Sequence, residues 1–175
     1  MRVRHRLSRL SPVKRNEQLV EVGFDLPRVS EQWPPGNREC LWAQWVTADA
    51  VRLRNVPSLA YGVAWGDLFR VHRAETGDLL AGKRLHWSGH CTIRVFVNQD
   101  GPLNGSLQRV SEMFAPLGVA GEGSPQWGLL AFDVPPEVDV VPVQRLLKDG
   151  VREDWWDYEE ACVGAAWIAA DEAEA

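Results

Sequence analysis

His90, Asp67 and Arg94 are the residues of this chain whose types and setting point to chemistry. An imidazole oriented by a carboxylate can take and return a proton near neutral pH. A guanidinium presents a planar fork to a carboxylate or phosphate. His90 lies in the run Leu85-His86-Trp87-Ser88-Gly89-His90-Cys91-Thr92-Ile93-Arg94-Val95-Phe96-Val97, whose odd positions are apolar or Gly and whose even positions are polar until Phe96. On a strand, side chains alternate between faces. His86, Ser88, His90, Thr92 and Arg94 then line one face, and Cys91, Ile93, Val95 and Val97 go to the core. Asp67 closes the glycine-punctuated loop that begins at Tyr61. The candidate site is His90 as acid/base, Asp67 as its orienting carboxylate and Arg94 as an anion clamp, with Thr92, Ser88 and Tyr61 as further ligand-binding groups. A structural role competes with each: Asp67 could accept backbone N–H groups after Gly66, and His90 could tie its strand to the Tyr61–Asp67 loop.

Other chemistries fit less well. Cys91 and His90 are adjacent on a strand and point to opposite faces, so the thiol lacks a base. His86 and His90 share a face but lie about 13 Å apart along a strand, too far for one ion. The three cysteines, Cys40, Cys91 and Cys162, form neither a disulfide set nor a CxxC metal spacing. Neither a metal nor a cofactor is expected, and the nucleotide-binding and hydrolase motifs are absent from the sequence. Trp155-Trp156 is the other notable pair: adjacent residues cannot both face one core, so one ring is expected at the surface. Beside Glu153, Asp154 and Asp157 it would form an acidic, aromatic interface of the kind found at interaction hot spots.

The elements that position these residues follow from periodicity. Strand patterns cover Gln18–Phe24, Glu39–Val46, Ala50–Asn55, Leu68–His72 and Leu79–Lys83, the last two joined by Glu75-Thr76-Gly77-Asp78, a hairpin loop. Short strands with glycine-rich corners predict a small antiparallel β-barrel. The rhythm then changes. A strand from Cys91 to Val97 precedes a helix carrying Leu107, Val110, Phe114 and Leu117, capped by Asn104 or Ser106 and stopped at Gly118. Two strands follow, Val119–Gly123 and Trp127–Val134. Asp139 caps a second helix closing near Gly150, and Asp157–Val163 is a final strand. The order β-α-β-β-α-β is that of the ferredoxin-like motif. The fold class is therefore α+β: a basic, flexible arm over 1–17, a β-barrel subdomain over 18–89, a ferredoxin-like subdomain over 90–165 and an acidic tail over 166–175. Gly89 is the natural bend between the two subdomains.

Several segments recur in this order in a known family: Glu39-Cys40-Leu41-Trp42-Ala43, Asn55-Val56-Pro57, Tyr61-Gly62-Val63-Ala64-Trp65-Gly66-Asp67 and Ser88-Gly89-His90-Cys91-Thr92-Ile93-Arg94-Val95. From about Glu39 to Glu160 the chain resembles a bacterial family of small cytosolic proteins that carry a domain of unknown function. Cys91 departs from the pattern, which more often has Ser there. The resemblance implies a bacterial cytosolic protein and transfers no activity.

Charge and hydropathy bound the partners. Residues 1–15 hold Arg2, Arg4, Arg6, Arg9, Lys14 and Arg15 and no acid. From Val151 onward eight acids face Arg152 alone, and the net charge is −5. A basic arm can bind nucleic acid. This arm lacks interleaved aromatics and the rest of the chain is acidic, so no nucleic-acid partner is expected. No apolar run approaches the ~20 residues of a membrane span, and a cytoplasmic location is expected. Two functions remain. The first is a non-enzymatic, immunity- or regulator-like protein that meets a protein partner through Trp155 and Trp156. The alternative is a small enzyme, or a binder of a small anionic ligand, using His90, Asp67 and Arg94 between the two subdomains.

Overall fold

A computed structural model describes residues 2–4, 19–31 and 33–174. The elements in chain order are β1 (Arg2–Arg4), β2 (Leu19–Asp25), β3 (Arg38–Trp45), β4 (Ala50–Leu53), β5 (Leu68–Arg73), β6 (Leu79–His86), β7 (Cys91–Val97), α1 (Leu107–Phe114), β8 (Ala120–Ser124), β9 (Leu129–Val134), α2 (Val140–Arg152), β10 (Trp156–Cys162) and α3 (Ala165–Glu174). The class is α+β, with two sheets. Most of the basic arm lies outside the described residues, apart from β1. The segment after 165 is a helix rather than a tail, because Trp167 is a buried anchor at 1% exposure. The chain divides into two compact units, residues 1–61 with 65–88, and residues 62–64 with 89–175.

In the first unit the strand pairing runs in a ring: β3 with β2, β2 with β6, β6 with β5, β5 with β4, and β4 back to β3. All of these pairs are antiparallel except β2–β6, which is parallel and rests on one residue pair, Gly23 with Leu80. β1 adds parallel to β3. Alternation explains the interior. Val22, Leu41, Ala43, Val51 and Leu53 are fully buried, or nearly so, with Phe24 edge-on to Phe69 at 5.0 Å.

In the second unit a four-stranded antiparallel sheet has the order β10-β7-β9-β8. α1 starts at Ser106, whose hydroxyl accepts the Arg109 N–H, and ends through a short 3-10 turn at Gly118, φ +78°. α2 starts at Asp139, whose carboxylate accepts the Val141 N–H. Val110 and Phe114 of α1 and Val143 and Leu147 of α2 bury against Ile93, Val95, Leu130 and Phe132 of the sheet. Phe114 packs on Phe132 at 4.3 Å and on Trp156 at 5.7 Å. The alternating run splits into two strands, β6 ending at His86 and β7 starting at Cys91. Gly89 between them sits at φ +92°, a conformation side-chain-bearing residues rarely adopt. The even positions of β7 do not form a solvent face: Thr92 and Arg94 are as buried as Ile93 and Val95. No helix among the described residues is long and apolar enough to cross a membrane.

Candidate functional site

His90 stands at the entrance to β7, directly after the turn at Gly89. Its Nδ1 lies 2.8 Å from Oδ1 of Asp133, the penultimate residue of β9 and the cross-strand neighbour of Thr92. The two side chains are 15% and 18% exposed, so the couple is shielded but reaches solvent at its edge. Burial holds the Asp133 carboxyl above its ordinary value of 3.8. The facing His90 pulls it back down, and Glu137 adds to the rise. A carboxylate at hydrogen-bond distance from an imidazole fixes its tautomer and can hold or pass a proton. The partner that β-strand register provides for His90 is thus Asp133, 43 residues away, and sequence reasoning missed it. The available signal was a lone acid inside the apolar strand Leu129–Val134.

The raised carboxyl has a measurable consequence. A group whose folded pKa exceeds its unfolded one stabilises the fold while protonated, below the unfolded value, and loses that contribution as pH rises through the folded value. Relative to Asp133→Asn, the wild type is therefore expected to lose stability as pH rises above 3.8, then level off. Urea midpoints of both proteins across the acid range check this, and a constant difference would refute it.

The other candidate residues are placed as follows. Asp67 is fully buried in the first unit, where its carboxylate accepts the Ser88 N–H at 2.8 Å and meets the Arg84 guanidinium at 3.4 Å. The Ser88 hydroxyl donates to the Trp65 carbonyl at 2.6 Å. In the second unit, the Thr92 hydroxyl donates to the Val63 carbonyl at 2.9 Å. Arg94, its side chain fully buried, donates to Glu159 at 3.2 Å across the β7–β10 pair. That burial leaves Arg94 no open fork for an anion. Tyr61 is 47% exposed. Burial pushes the Cys91 thiol up, away from the thiolate, and a backbone hydrogen bond with Gly164 offsets only part of this. Trp156 is 3% exposed and donates from Nε1 to the Leu147 carbonyl at 3.1 Å, so of the adjacent pair Trp155 is the partly exposed ring. Among the described residues no group of three or more His, Cys, Asp or Glu is placed to hold a metal ion.

A family model described as a domain of unknown function, DUF4265, matches residues 39–158. The chain belongs to this family. No curated protein matches it. The crystal structure of a hypothetical protein from Neisseria gonorrhoeae is similar in fold, with a TM-score of 0.66 and 16% identity over 85% of this chain and 96% of that one.

The DUF4265 region opens on a residue that sequence reasoning also passed over. Glu39 is fully buried, and its carboxylate accepts the N–H groups of Ser58, Leu59 and Ala60 at 2.8, 3.0 and 2.7 Å. Asn55 accepts the Trp42 N–H at 2.8 Å. Both organise the irregular segment after β4, whose backbone has no ladder to join. The apolar segment 56–60 needs such acceptors, because buried N–H groups left unpaired are costly.

Proposed function

We propose that this DUF4265 protein is a non-enzymatic, bacterial, cytosolic binding protein of immunity or regulator type. We read it as a small β-barrel followed by a ferredoxin-like half, and as meeting a protein partner through the acidic surface around Trp155. The ring of strand pairs in the first unit supports the barrel reading. The sheet order β10-β7-β9-β8, with a helix on each of the two crossovers, supports the ferredoxin-like one. The observation that carries the functional reading is that the polar residues of the sequence motifs are spent internally. Glu39, Asp67, Thr92 and Arg94 are fully buried and each serves a backbone group or an ion pair. Outward along the chain next to the half-buried Trp155 lie Val151, Glu153, Asp154 and Asp157, with Arg152 the one base among them, a mixture suited to a partner's basic and apolar groups.

A second reading, a small enzyme or small-ligand binder, rests on the His90–Asp133 couple alone. Affinity capture from a native bacterial lysate separates the two. A specific partner is expected with the wild type, lost at least tenfold with Trp155→Ala/Asp157→Lys and retained with His90→Ala. Identical partner profiles for wild type and the Trp155 variant would overturn the binding reading.

A further inference from the structure

Summed over the chain, the charge of −5 argues against a polyanionic partner. Strand by strand it does not. β4, β5 and β6 carry Arg52, Arg70, Arg73, Lys83 and Arg84, together with His72 and His86, and not one carboxylate. Arg54 follows directly after β4. The register places several of these on the outer face of the ring: Arg52 opposes Leu68, which opposes His86, while His72 opposes Leu80. The interior face is taken by Val51, Leu53, Phe69 and Val71, and Arg73, two residues on from Val71 and opposite Leu79, shares that side at the strand end.

Three of these guanidiniums are held in place by neutral acceptors, which fix their position without cancelling their charge. Arg52 donates to the Gly66 carbonyl at 3.1 Å, Arg54 to the Gln44 side chain at 3.0 Å and Arg73 to the Gly77 carbonyl at 3.0 Å. Lys83 is exposed. Arg70 and Arg84 are the exceptions in this strip, Arg70 meeting Asp49 at 3.3 Å. Arg84 is directed at the buried Asp67. Aromatic surface lies alongside: Arg54 sits 5.9 Å over the Trp65 ring. At physiological salt a charge acts over about 8 Å, so local composition decides what a face attracts.

We infer that the outer face of β4–β5–β6 is a docking surface for single-stranded nucleic acid, its phosphates met by Arg52, Arg54 and Lys83 and a base stacked at Trp65. Cations spaced along a sheet face with a neighbouring aromatic are what a flexible phosphate backbone with unstacked bases requires. The Trp65 ring adds a flat surface on which an unstacked base can lie, which the cations alone would not supply. The inference is independent of the acidic surface in the second unit.

The test uses the full chain and a fluorescein-labelled 20-nucleotide oligouridine, read by anisotropy. Three phosphate contacts on a single strand give a salt slope of about −2.1, that is, a loss of affinity of about 18-fold between 50 and 200 mM salt. Arg54→Ala/Lys83→Ala should cut the slope to about a third, so that the same salt step costs about 3-fold, while Arg152→Ala leaves it unchanged. Co-sedimentation with phosphatidylserine vesicles is the comparison arm. No oligonucleotide binding at 50 mM salt, a slope that the double variant does not alter, or binding to vesicles but not to the oligonucleotide would each overturn the inference.

Discussion

Glu39→Ala is expected to lower the melting temperature by about 10 °C and to abolish any compact state of the first unit under mild denaturant. Three N–H groups, those of Ser58, Leu59 and Ala60, converge on this one carboxylate in a fully buried setting. Removing the acceptor leaves all three unpaired, at about 1–3 kcal/mol each before relaxation. Water entering the vacated volume and movement of the segment recover part of this, leaving about 4 kcal/mol. In a protein of this size each kcal/mol shifts the midpoint by about 2–4 °C. Glu39→Gln keeps one acceptor oxygen and presents an NH2 group to the remaining N–H donors, so its loss should be about half as large. Thermal unfolding followed by circular dichroism measures both. An alanine variant melting within 2 °C of the wild type would show that the carboxylate is not what holds Val56–Ala60.

The same residue marks the limit of what could be read from the chain. Glu39 sits in an alternating strand pattern, and its position says only that it shares a face with Leu41 and Ala43. Its partners are 19 to 21 residues away, in a segment whose backbone geometry no local rule supplies. Periodicity is a sound guide where the pairing is local: the strands between Leu19 and Lys83, the two capped helices and the turn at Gly89 follow from two- and 3.6-residue repeats and from turn chemistry, whereas the run from Leu85 to Val97 is broken between His86 and Cys91. It misleads where a polar side chain is not an exposed one. Thr92 and Arg94 alternate with apolar residues, yet both are buried, because a hydroxyl can be satisfied by the Val63 carbonyl and a guanidinium by Glu159. Asp67 and His90 were legible as a carboxylate and an imidazole worth pairing. Register decided the partners instead, giving His90 the carboxylate of Asp133 and Asp67 the N–H of Ser88.

The C-terminal end of α2 carries the second large expectation. A glycine at position 150 reads as a helix stop, yet α2 continues through it to Arg152, at a cost of about 1 kcal/mol relative to alanine. The reason is Trp156. A Cβ on Gly150 would lie well inside contact distance of Cε2 and Cζ2 of that ring. The ring is not free to retreat: it is 3% exposed, its Nε1 donates to the Leu147 carbonyl, and Phe114 backs it at 5.7 Å. Gly150→Ala, a favourable change in an ordinary helix, is therefore expected to destabilise by about 3 kcal/mol, the upper range for overpacking a fixed core. Trp156→Phe alone should also destabilise, through lost area and the lost hydrogen bond. Combined with Gly150→Ala it should cost at least about 1 kcal/mol less than the sum, because the smaller ring makes room for the methyl group. Urea unfolding of the four proteins gives this coupling directly. A Gly150→Ala variant as stable as the wild type would mean that the glycine is a relic of helix termination and not a notch cut for the indole.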